Sequence, residues 1–106
     1  MIEQLPQISF DYGVAVDYMK IGEAVYRKGW NGKDMFIFIR PGDHIHKEII
    51  KNIQTIPEPV KKHLLDIPLD SIEFLPYVCM KTTDNKIVNG WVPSHEDSLA
   101  EDWFLY

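Results

Sequence analysis

The run Met35-Phe36-Ile37-Phe38-Ile39 is five consecutive apolar residues, bounded by Asp34 and Arg40. Five residues are too few for a core helix, and the run is rich in β-formers. It therefore predicts a strand covered on both faces. Pro41-Gly42 stops it. No apolar run approaches the ~20 residues that a membrane span requires. The fold must be assembled from short elements.

The rest of the chain supplies them. Phe10, Val14 and Tyr18 recur at spacing four, predicting a helix from Phe10 to Lys20 with Ser9 or Asp11 as its cap and Gly22 at its end. Ala24 to Lys28 reads as a strand. Asn31-Gly32, inside Gly29 to Lys33, is a hairpin signal. Lys47 to Gln54 places Ile49, Ile50 and Ile53 on one helical face. Pro57 and Pro59 open a further helix with Val60, Leu64 and Leu65 inward, closed by Pro68. Tyr77 to Lys81 and Ile87 to Val92 form a hairpin about Asp84-Asn85. Ser94 to Ala100 reads as a helix and Trp103 to Tyr106 as a last strand. The sum is a single α+β domain spanning residues 1–106. It has a small antiparallel sheet of four to five strands with short helices packed on it, and 43–76 is a helical segment within it.

Composition limits the function classes. A chain of 106 residues supports one core and not two. The net charge of −5 disfavours binding to nucleic acid, which needs a basic face, but leaves room for a small phosphate-bearing ligand at a local site. Cys79 is the one cysteine, so no internal disulfide and no cysteine-based zinc site is available, which fits a reducing cytoplasm. Met1 to Ala15 carries no Lys or Arg, unlike a secretory leader. No nucleophile elbow, Walker loop or His-Glu-x-x-His motif is present.

Two segments carry suggestive chemistry. Arg27-Lys-Gly-Trp30-Asn31-Gly-Lys33 puts an indole at a turn between cations. Trp30 is either a stacking platform for a base or a side chain folded back on the core. If it is a platform, truncating it costs ligand affinity and not the fold. Arg27 can hold a phosphate bidentately. Gly90-Trp91-Val-Pro-Ser94-His-Glu-Asp97 leads a second tryptophan into a helix, with Ser94 and Asp97 at capping-box spacing. A helix N-terminus is also an anion site. Trp103 reads as core, with Glu101 and Asp102 facing solvent. His44-x-His46 has strand spacing for two metal ligands, but the sequence places no third, so both read as exposed histidines and no metal site is expected.

Gly22-Glu-Ala24, Arg27-x-Gly-Trp-Asn-Gly-Lys-x-Met-Phe36 and Gly90-Trp91…Ser94-x-x-Asp97-x-Leu-Ala-x-Asp-Trp103 together resemble a phage and prophage family, that of the second type of Thoeris anti-defence protein. The resemblance covers roughly half the chain. It implies a protein without catalysis or cofactor. Such a protein sequesters cyclic nucleotide immune signals, of the glycocyclic ADP-ribose type and in some members cyclic di- or trinucleotides from cyclic-oligonucleotide systems. It also implies a homotetramer in the cytoplasm of the infected or lysogenic host, with pockets between protomers. Trp30, Asn31, Trp91, Ser94 and Asp97 would line the pocket, with Arg27 as an addition. The stretch 43–76 departs from the family's pattern. Two other functions are compatible with the residues: a metal-dependent hydrolase of the same nucleotides using His44 and His46, and a protein-interaction module.

Overall fold

A computed structural model describes residues 8–106. Part of the Met1 to Ala15 stretch lies outside them. The architecture is α+β, with a five-stranded antiparallel sheet, a separate two-stranded sheet and four short helices among the described residues. The chain divides into two compact units. One runs to Arg40 and resumes with Tyr77–Tyr106, and the other is Pro41–Pro76.

The first unit begins with α1 (Tyr12–Lys20), capped by the Asp11 carboxylate, which accepts from Val14 N at 2.9 Å. Gly22, at φ 99°, closes the helix end, its N–H reaching Met19 O at 3.0 Å. That left-handed conformation is open to glycine without strain. The sheet order is β6 (Ile87–Asn89), β5 (Tyr77–Lys81), β2 (Phe36–Arg40), β1 (Val25–Arg27), β7 (Trp103–Leu105). The last strand of the chain therefore pairs with the first, with Val25 opposite Leu105 and Arg27 opposite Trp103.

Strand alternation divides the sheet into two faces. On one face Val25, Ile37, Met80 and Trp103 meet Ala15 and Met19 of α1 to form the core. On the other, Tyr26, Phe36, Phe104 and Tyr106 gather, with Phe36 and Tyr106 ring centroids 4.6 Å apart. The apolar run is thus the central strand. Only its Ile37 is fully buried, however, while Phe36, Phe38 and Ile39 are half-buried, so the expectation of cover on both faces fails. The β5–β6 hairpin is placed as its sequence indicates. Asn85 sits at φ 63°, and Thr82 and Lys86 close the turn through Thr82 N to Lys86 O at 2.8 Å. Asparagine tolerates that region better than other L residues.

The connection between β1 and β2 is not the two-residue Asn31-Gly32 hairpin. It runs from Lys28 to Met35, and its left-handed residue is Asp34, at φ 57°.

The second unit differs most from its sequence reading. Besides two helices it contains β3 (Asp43–His46) paired antiparallel with β4 (Ser71–Phe74). These four-residue strands lack a long apolar run, which hid them. Helices α2 (Lys47–Ile50) and α3 (Glu58–Leu65) are shorter than expected. Ile50 is buried, but Ile49 and Val60 are exposed. The inward position expected for Val60 belongs to Lys61, whose ammonium donates to Lys51 O at 3.0 Å and Glu58 Oε1 at 3.1 Å. Lys47 Nζ likewise donates to the carbonyls of Leu65 and Ile67. Two lysines therefore satisfy backbone oxygens that a small apolar core leaves unpaired.

Ile37 has no exposed surface at the centre of the sheet. Ile37→Ala is expected to cost about 2–5 kcal/mol, read as a lower denaturant midpoint at unchanged slope.

Candidate functional site

The chemistry-bearing residues converge where the Lys28–Met35 connection meets α4 (His95–Leu99) and the start of β7. α4 opens with the capping box that its sequence indicates. Ser94 Oγ accepts from Asp97 N at 3.0 Å, and Asp97 Oδ2 accepts from Ser94 N at 3.1 Å. The other carboxylate oxygen, Oδ1, leaves the helix. It accepts from Arg27 Nη1 at 2.7 Å and from the Trp30 indole N–H at 3.0 Å. One carboxylate thus ties the end of β1, the turn and the helix start together.

Arg27 makes a second ion pair. Its Nε donates to Asp102 Oδ1 at 2.8 Å, and Asp102 Oδ2 accepts from Gly29 N, also at 2.8 Å. Asp102 does not face solvent as the sequence suggested; it is half-buried and holds the first residues of the turn, while Glu101 is exposed. The β1–β7 register, which sets Arg27 opposite Trp103, brings it there. A Cβ at Gly29 would lie 2.8 Å from Asp102 Oδ2, so any side chain there would displace this pair. Both ion pairs are partly buried, with the Arg27 side chain 10% exposed. They are less screened than surface pairs and hold real geometry.

The electrostatics follow. Burial pushes the Asp97 carboxyl up, but the Arg27, Trp30 and Ser94 hydrogen bonds outweigh it and hold it below the usual carboxylate range. Arg27 does the same for Asp102, aided by Gly29 N–H. Tyr12 is pushed up, chiefly by burial and then by the charge of Asp97.

Three indoles pack around this carboxylate. Trp30 meets Trp103 edge-on at 5.3 Å and Trp91 at 6.1 Å, and Trp103 N–H donates to Asp97 O at 3.1 Å. Trp103 is fully buried, as its sequence position suggests. Trp30 and Trp91 are half-buried against the core. The indole of Trp30 is therefore folded back on the core and also walls a cavity of about 550 Å³. Tyr26, Lys28, Lys33, Met35 and Tyr106 line that cavity with it, and Arg27 reaches it. Asn31 is exposed beside it, and Ser94 and Asp97 lie behind Trp30 rather than in the wall. The sequence reading missed Tyr26, Lys28, Lys33, Met35 and Tyr106 as wall residues. For the two tyrosines the signal was strand alternation, since Tyr26, Phe104 and Tyr106 share the aromatic face.

His44 and His46 lie exposed on β3, and His46 Nδ1 accepts from Glu48 N at 3.1 Å. Among the described residues no three His, Cys, Asp or Glu side chains converge to hold a metal ion.

Two outcomes follow from this geometry. Asp97→Asn is expected to lower stability at pH 7 by about 2–3 kcal/mol, because it removes the charge from a partly buried pair. The folded-state pKa of Asp97 is depressed, so its contribution is complete above the unfolded value of about 3.9 and is lost as pH falls through the folded value. The gap in melting temperature between the parent and Asp97→Asn should therefore be full at neutral pH and narrow as the pH is lowered below about 3.9. Trp30→Ala, in turn, should lower stability by about 2–3 kcal/mol, less than a fully buried tryptophan costs, and Trp30→Phe by less. Thermal unfolding of the two variants checks this, and it replaces the expectation that truncation spares the fold.

A family model described as "Thoeris anti-defense 2-like domain" matches residues 10–106. A protein from Bacillus phage SP01 named "Thoeris anti-defense 2" is 40% identical over 93 residues, covering 87% of this chain and 89% of the relative. The chain belongs to the Thoeris anti-defense 2-like family, whose function class is phage anti-defence.

Proposed function

We propose that this protein acts as a sponge. It binds cyclic nucleotide immune signals, of the glycocyclic ADP-ribose type and also cyclic di- or trinucleotides, and withholds them without cleaving them. The observation that carries the reading is the cavity wall: an indole and two tyrosines beside lysines, on a connection pinned by ion pairs. Aromatic faces stack on bases and cations meet phosphates. Trp30 and Asn31 meet the ligand directly, and Trp91 and Ser94, which lie outside the cavity wall, are its outer contacts. Arg27, paired with Asp97 and Asp102, and Asp97, which also accepts from Trp30 and Ser94, frame it. A sponge acts by mass action, so it needs tight binding more than turnover, and a rigid wall supplies affinity at low entropic cost.

The proposal extends to assembly. Isolated apolar side chains stand exposed, among them Ile21, Val92 and Leu99, with Ile49 and Val60 in the second unit. A homotetramer in the host cytoplasm would cover surface of this kind. No metal or cofactor is required.

The test is calorimetric titration with a glycocyclic ADP-ribose isomer, with and without excess chelator, followed by denaturation and mass spectrometry of the ligand. Binding that survives chelator, with the ligand recovered intact, is the expected result. Cleaved ligand, or binding restored only by a divalent ion, would move the protein to the hydrolases. Sedimentation at micromolar concentration should report a tetramer, and a monomer would remove the assembly part.

A further inference from the structure

The cavity beside Trp30 contains two kinds of cation. Arg27 looks like the natural phosphate ligand from its sequence, yet its Nε and Nη1 already face Asp102 and Asp97. Lys28 and Lys33 line the same cavity, are exposed, and their ammonium groups have no ion pair or hydrogen bond among the described residues. In a chain of net charge −5, two unpaired cations in one concavity are a local reversal of sign.

The connection that bears them is held at several points. Gly29 N donates to Asp102, and the Trp30 indole N–H donates to Asp97. Lys81 Nζ donates to Asp34 O at 2.7 Å, which ties the far end of the connection to β5. A Cβ at Gly32 would collide with Met35 Sδ and Thr83 Oγ1, so this residue lies close against the β5–β6 turn. Lys28 and Lys33 flank these anchors. Their backbone positions are set before any ligand arrives, which lowers the entropic cost of bringing two ammonium groups to one anion. Asp34 also lines the cavity and opposes an anion, but the two lysines outnumber it.

We propose that Lys28 and Lys33 form the subsite of this cavity that holds the pyrophosphate of a glycocyclic ADP-ribose-type ligand, and that Arg27 is a positioning residue that shapes the turn. The assignment rests on the nucleotide reading above for its physiological ligand, but the subsite is defined by its own chemistry. Two ammonium groups from one cavity lining can each meet one of the two adjacent phosphates of a pyrophosphate bridge. The Trp30 and Tyr106 walls beside them suit the attached nucleoside.

The experiment compares the parent protein, Lys28→Gln/Lys33→Gln and Lys28→Arg/Lys33→Arg. The probes are sodium pyrophosphate, followed by amide chemical shifts, and a glycocyclic ADP-ribose isomer, followed by calorimetry. The glutamine pair should weaken both by at least about tenfold and flatten the dependence on salt, with the melting temperature unchanged; the arginine pair should retain both. Equal affinity of the parent and the glutamine pair for both probes would overturn the subsite while leaving nucleotide binding standing. Lysine-dependent pyrophosphate binding without nucleotide binding would support the subsite and remove the sponge. Failure of the parent to bind either probe would overturn both.

Discussion

The Asp97 carboxylate carries the organisation of this molecule's functional face. Its two oxygens accept from the Ser94 backbone, the Trp30 indole and the Arg27 guanidinium, so the Arg27–Trp30 stretch and the start of α4, far apart in sequence, meet on one side chain. A carboxylate taken this far from water is unfavourable unless every lone pair is used, and here each oxygen has partners. Asp102 repeats the device on the other side of Arg27. Among described residues no buried side-chain nitrogen or oxygen lacks a partner. The consequence is a turn whose backbone is fixed by charge-assisted hydrogen bonds rather than by apolar burial alone.

Such a turn suits a binding protein. A chain of 106 residues has little apolar area to spend on rigid loops. Ion pairs from α4 and β7 provide that rigidity at the sheet's end, where the aromatic face and the cationic connection adjoin. The core indole of Trp103 links the two functions: it fills the space under α1 and supports Trp30 from below. Stability and site geometry therefore share residues, and changes at Trp30 act on both.

Much of the first unit was legible because its signals are local. Period-four spacing gave α1, the Ser94/Asp97 spacing gave the capping box, and the apolar run gave the central strand. The family blocks likewise pointed to Trp30, Asn31, Trp91, Ser94, Asp97 and Arg27 as one neighbourhood, although their part in binding is a separate matter from their position. What stayed hidden depended on pairing across the chain. Asp102 looks like a solvated acid until β7 pairs with β1 and sets it against Arg27. The β3–β4 pair is four residues per strand with charged and apolar side chains mixed, so no periodicity announces it. Asn31-Gly32 misled because a strong hairpin dipeptide sits inside a longer connection that other contacts shape.

The central claim is that Arg27 and Asp97 act as one unit in building this face. A double-mutant cycle of Arg27→Met and Asp97→Asn, measured by urea unfolding at pH 7, tests it most directly. The account requires a coupling energy of about 1–3 kcal/mol, with the double variant far less destabilised than the sum of the single ones. Additivity within about 0.5 kcal/mol would contradict it, because the two groups would then contribute independently and the turn would owe its geometry to something else.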